Sequence, residues 1–195
     1  MDTMTALKTR RSNGSVTAEP ISKDLLEELL QASAWAPNHH RTDPWRFAVF
    51  MGAGRQKLGA VLAEGTRAAN AHLPEAERAA LTEKAETAPL RAPVVVAVWA
   101  AVGRGPAKNP PAWEDHAAVA AAVQNLLLAA HAKGLAGFWR TGPYGDLPTV
   151  QALLGLDTAK GDKVLGLVYL GHPDPTTPEP LRPTPDWKSR TVWHD

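Results

Sequence analysis

Val94-Val95-Val96-Ala97-Val98-Trp99 is an apolar run without a polar interruption, introduced by Ala92-Pro93. A strand with one wet face alternates apolar and polar residues. An unbroken apolar run of strand length therefore reads as a strand covered on both faces. Downstream, the pattern predicts a long helix from about Trp113 to Lys133, ended by Gly134 at the C′ position. From Ala117 onward this helix is apolar nearly all round, the mark of a central helix buried by its neighbours. Its seven alanines between Ala117 and Ala130 permit close approach of other helices or of a second subunit.

Working outward from this pair, Thr3 to Arg10 reads as a short helix ending on Arg10-Arg11-Ser12. A second helix starts at Ser22, a good N-cap, with Ile21 and Leu26 at the spacing of a hydrophobic staple. Leu25, Leu26, Leu29 and Leu30 form its core stripe, and Ala36-Pro37 ends it. After the loop Asn38-His39-His40-Arg41-Thr42-Asp43-Pro44, Trp45 to Met51 reads as a strand. Gly52-Ala53-Gly54 then leads into a helix from about Arg55 to Ala69. Pro74, at an N1-like position, opens another helix. A Gly- and Pro-rich loop covers 103–111. Two further strands, Ala136 to Trp139 and Val164 to Leu170, flank a short helix over Pro148 to Leu154. From Pro173 the prolines impose an extended tail, 173–195. It carries Trp187, Val192 and Trp193, apolar enough to predict that this subunit or a partner buries them. The pattern is α+β, with about four strands interleaved by long helices in one domain over 1–195.

Composition narrows the function classes. With 195 residues, 44% hydrophobic and 21% charged, the chain suits one globular domain. A formal net charge of +1 provides no broad field for nucleic acid or anionic lipid. Cysteine is absent, which excludes disulfides, thiolate metal sites and thiol nucleophiles, and fits a reducing cytoplasm. No signal peptide is evident, and the most apolar segment, Ala117 to Ala132, falls short of the ~20 residues of a membrane span. The expectation is a cytoplasmic protein that binds neither nucleic acid nor membrane.

Several chemistries lack their residues. There is no G-x-S-x-G elbow, no H-E-x-x-H and no Walker loop. His39 and His40 are adjacent, so their side chains are expected to diverge. Asp43 alone does not complete a metal site. Gly52-Ala53-Gly54 lacks the third glycine of a dinucleotide loop, since position 57 is Lys57, and reads better as a strand-to-helix turn. What remains is the equipment to hold a phosphorylated aromatic cofactor. Arg10, Arg11 and Arg140 suit phosphate, Trp45 and Trp139 offer aromatic walls, and Gly or Pro loops expose backbone amides.

The order of the pieces is more telling than any one of them. Arg10-Arg11-Ser12, Ala36-Pro37-Asn38-His39, Pro44-Trp45-Arg46-Phe47, Ala92-Pro93-Val94-Val95-Val96, the alanine-rich helix, Gly137-Phe138-Trp139-Arg140-Thr141-Gly142 and Leu170-Gly171-His172-Pro173 follow in series. This series resembles the FMN-dependent nitroreductase family, in its small single-domain NAD(P)H nitroreductase branch, over nearly the whole chain.

The resemblance implies a central mixed or antiparallel sheet flanked by helices, in a homodimer with FMN at the subunit interface and a domain-swapped type of C-terminal tail. It implies that Arg10, Arg11 and Ser12 hold the phosphate and ribityl side of FMN, and that Trp139, Arg140 and Thr141 lie along the flavin. Pro37 and His39 would reach it from the other subunit. The implied activity is hydride transfer from NAD(P)H through the flavin to an electron-poor acceptor, a nitroaromatic or quinone, by a ping-pong cycle. The flavin carries the chemistry, so no catalytic side chain and no metal is expected. A flavin-binding or storage module without turnover is the alternative. Two positions depart from the family pattern. Asp43 stands where Gln is frequent, and Trp35 stands where a basic residue is common. At Trp35 a contact to flavin across the dimer would be stacking, while core packing is an equal reading.

Overall fold

The structure, a computed structural model, describes residues 1–105 and 110–194. Six α-helices and four strands alternate along it. Helix α1 (Thr3–Thr9) is followed by α2 (Lys23–Ala34), β1 (Trp45–Met51), α3 (Ala53–Ala69), α4 (Glu75–Thr87) and β2 (Val94–Ala100). Then come α5 (Ala112–Ala132), β3 (Ala136–Arg140), α6 (Pro148–Leu154) and β4 (Lys163–Gly171). The expected 103–111 connector lies outside the described residues at 106–109.

The strands form one sheet in the order β1-β2-β4-β3, antiparallel throughout. The Val94 run forms the inner strand β2, and every residue in it except Trp99 is buried. Its side chains alternate between two cores. Val94, Val96 and Val98 pack with Leu26 and Leu29 of α2 and Val119, Val123 and Leu126 of α5. Val95 and Ala97 face Leu58 and Leu62 of α3, Val150 of α6, and Tyr169 of β4. The result is a three-layer α+β arrangement with helices on both faces of the sheet.

Local chemistry sets the helix ends. Ser22 caps α2 by accepting from the Leu25 amide at 3.3 Å, and the staple pair Ile21 and Leu26 is buried. At the end of α5 the Gly134 amide donates to the His131 carbonyl at 3.0 Å and the Leu135 amide to the Ala130 carbonyl at 2.9 Å. That is a Schellman closure, and it requires the positive φ of +78° that Gly134 adopts.

Two expectations need correction. Pro74 is the N-cap of α4 rather than its first helical residue. Helix α5 is not covered all round. Ala118, Val119, Ala122, Val123, Leu126 and Leu127 are buried, while Ala117 and Gln124 lie open and Trp113 is 67% exposed. Of the two covers expected for the tail, its own subunit is not the one used, for Trp187, Val192 and Trp193 are all exposed on it.

Candidate functional site

The Arg10-Arg11-Ser12 segment leaves the end of α1 and runs onto the free edge of β3. Ser12 forms a parallel bridge with Gly137, and the Asn13 amide donates to the Gly137 carbonyl at 3.2 Å. The segment is thus pinned by backbone bonds, and its side chains are left for other work. Arg10, Arg11 and Asn13 line a cleft of about 190 Å³ with His131 and Leu135 from the end of α5 and Glu179 and Pro180 from the tail. Arg11 is partly spent on the carbonyls of Lys8 and Arg10, at 2.8 and 3.0 Å. Arg10 is not: its Nη1 is shielded from solvent and meets no acceptor among the described residues. Burial, then the like charges of Arg182 and Arg11, push the Arg10 guanidinium below its ordinary pKa. A shielded cationic donor without an acceptor fits an anion supplied from outside the chain.

Trp139, Arg140 and Thr141 stand at the other end of the same strand. From Gly137 to Thr141 the chain advances roughly 13 Å at strand geometry. Trp139 turns its ring into the α5-side core and donates Nε1–H to the Leu165 carbonyl at 2.8 Å. Its closeness to β4 needs Gly166, at φ +148°, where a Cβ would stand 2.3 Å from that same Nε1. Arg140 points to the opposite face and lies over the Tyr144 ring at 5.1 Å. Phe138 stacks there on Tyr169 at 4.6 Å between ring centres. The Tyr169 hydroxyl is buried and meets no hydrogen-bond partner among the described residues, and burial raises its pKa. Arg140, Thr141 and Tyr144 line cavities on both sides of the 141–146 loop, of about 330 and 370 Å³.

Pro37 and His39 are elsewhere. The His39 Nδ1–H points to Glu114 Oε2 at 2.5 Å, in the first turn of α5, whereas His131 beside Arg10 is in the last. Those two positions are separated by roughly 25 Å of helix. One chain therefore brings Arg10, Arg11, Ser12, Trp139, Arg140 and Thr141 to one strand edge and leaves Pro37 and His39 at the far end of α5.

The loop bearing His39 is tightly built. His40, Arg41 and Asp43 all have positive φ, between +41° and +55°, which non-glycine residues seldom adopt. This turn corrects the expectation that the two histidines diverge: their rings stack at 3.8 Å. Asp43, at the departure from the family pattern, accepts from Asn38 Nδ2, while the Asp43 amide donates to Asn38 Oδ1, both at 3.1 Å. Thr42 donates to buried Asp115 at 2.7 Å. Trp35, the C-cap of α2, is 81% exposed, so core packing in its own subunit is ruled out.

The sequence reading missed His131, Glu114, Asp115 and Tyr144. His131 and Glu114 carried a weak signal as polar residues near the two ends of a largely apolar helix. The others are identified only by partners remote in sequence.

The chain is thus a three-layer α+β scaffold with an arginine-lined cleft at one sheet edge and no metal-ligating cluster among the described residues. Comparison with known proteins gives the family. The Nitroreductase family profile matches residues 7–172. The chain is 34% identical to "Putative NAD(P)H nitroreductase YdjA" of Escherichia coli K12 over 173 residues, 89% of each chain. Among solved structures, a nitroreductase-like family protein from Bacillus cereus superposes with a TM-score of 0.80 at 29% identity, covering 98% of this chain and 95% of that one. A Desulfovibrio desulfuricans protein solved in complex with FMN gives a TM-score of 0.65 at 27% identity, covering 92% and 91%. The chain belongs to the nitroreductase family, a family of FMN-dependent oxidoreductases. Among the described residues no helix is long and apolar enough to cross a membrane.

Proposed function

We propose that this protein binds FMN and works as a homodimeric NAD(P)H-dependent oxidoreductase whose acceptor is an electron-poor nitroaromatic or quinone. The observation that carries the reading is the shielded, acceptor-less Nη1 of Arg10 at the edge of β3. Arg10 and Arg11 bind the phosphate, the Ser12 hydroxyl bonds the ribityl chain, and Trp139, Arg140 and Thr141 border the ring system one strand length away. Held by these residues, FMN would supply the hydride chemistry that links NAD(P)H oxidation to reduction of the acceptor in a ping-pong cycle. The chain's own residues bind and orient. Arg140 adds positive charge beside the ring, and the stacked Phe138–Tyr169 pair backs that end of β3.

Pro37 and His39 reach the cofactor of a second copy, with Trp35 offering a stacking face. This accounts for their position some 25 Å along α5 from Arg10. The second copy covers the open side of α5, and 1–195 acts as one domain whose tail, 173–195, packs across the partner.

Removing Arg10 is the direct test. A charge-assisted hydrogen bond contributes about 1.5–3 kcal/mol, so Arg10→Ala is expected to weaken FMN binding by roughly ten- to a hundredfold. The thermal midpoint of the apoprotein should stay near the wild-type value. Unchanged FMN affinity in a folded Arg10→Ala protein contradicts the assignment.

A further inference from the structure

His131 is an imidazole placed where an anion would otherwise be unwelcome. It is the second-last residue of α5, where the backbone carbonyls give the helix end its partial negative charge. A phosphate beside Arg10 would face that end directly. His131 lines the same cleft as Arg10 and Arg11, and its Nε2 lies 2.7 Å from the Thr9 hydroxyl. The hydroxyl donates in turn to the Thr5 carbonyl at 2.8 Å, so it is the acceptor of an Nε2–H and leaves Nδ1 as the second ring position. The charged groups facing the ring are Arg10 and Arg11 from the end of α1 and Glu179 from the tail, with Met1 also lining the cleft.

We propose that His131 is a third, proton-dependent ligand for the phosphate end of the cofactor, so that cofactor affinity rises as pH falls through the imidazole's range. The proposal rests on the FMN reading above and adds a regulation to it. In the free protein, burial together with Arg10 and Arg11 disfavours the imidazolium, and Glu179 offsets this only in part, leaving the His131 pKa below its ordinary value. A phosphate dianion reverses the balance of charge around the ring. The pKa of the complex then lies above that of the free protein, and binding takes up a proton at Nδ1 between the two values. Within that window the affinity is highest at the acidic end.

The test compares FMN with riboflavin, which lacks the phosphate, by fluorescence titration of the apoprotein from about pH 6.5 to about pH 8, where the phosphate is mostly dianionic. The FMN dissociation constant is expected to rise several-fold across this range, bounded by about tenfold per pH unit for one linked proton. Riboflavin should show no such trend, and His131→Gln should abolish it for FMN. A His131→Gln protein that keeps the wild-type slope, or a wild type without slope, overturns the proposal. An NMR titration of His131 with inorganic phosphate judges the proposal separately. A rise of its pKa supports the proposal, and an unmoved pKa overturns it. Phosphate raising that pKa in a protein that binds no FMN at any pH would overturn the flavin reading alone.

Discussion

Asp162 is the residue whose environment is least visible in the sequence and most exacting in the fold. Its side chain is almost wholly buried and accepts from both Nη atoms of Arg104, each at 2.8 Å, and from the Val102 and Asp157 amides at 2.8 and 2.9 Å. Burial alone would raise its pKa. The Arg104 fork and the two amides outweigh burial and hold the carboxyl below its ordinary value. A depressed folded pKa means that the stabilisation is fully present above the unfolded value and is lost as pH falls through the folded one. Asp162→Asn is therefore expected to cost about 3 kcal/mol near neutrality. In denaturant titrations the gap to wild type should persist at mildly acidic pH and narrow only below about pH 4. A gap independent of pH down to that region and beyond would show that charge is not what the residue contributes. Neither Asp162 nor Asp115 could be picked out as buried beforehand, since both carboxylates look like solvent-facing residues until Arg104 and Thr42 are brought to them by the fold. The paired arginines at Arg10-Arg11 were legible because they are adjacent in the chain.

At the scale of elements the reading was most secure where one periodicity held. The strand over Trp45–Met51 and the helix over Pro148–Leu154 agree with the structure residue for residue. The Val94 run was legible as a doubly covered strand because both cores draw on it. The loop over 38–43 was not, because it turns on three non-glycine residues at positive φ, His40, Arg41 and Asp43, and one of them is an arginine, which rarely adopts that conformation. The junction of α2 with α5 also hinges on an unremarkable residue. Ser33 is fully buried and donates its hydroxyl to the Ala122 carbonyl at 2.7 Å. Ser33→Ala removes that link without adding bulk, and should lower unfolding free energy by about 1 kcal/mol in urea titration. An unchanged midpoint would assign the α2–α5 contact to apolar packing alone.

The whole molecule leaves its own surface unfinished. Trp35 and Trp113, the open side of α5 and the tryptophans of the tail are more exposed than large apolar groups ordinarily remain in a chain that acts alone. The residues that resemblance assigns to one cofactor lie in two groups at opposite ends of a 21-residue helix. The proposed second copy, with the flavin between subunits, would account for both features together. The apolar helix and the tryptophans of the tail already pointed to a partner in the sequence, while the place of a flavin between subunits was implied only by the order of motifs. The visible absorption spectrum of the freshly purified protein, reconstituted with FMN if colourless and then mixed anaerobically with NADPH or NADH, tests the account most directly. A yellow protein whose flavin band bleaches on adding the nicotinamide is the expected result. A protein that stays colourless after incubation with excess FMN would contradict the account, as would a bound flavin that neither nicotinamide reduces.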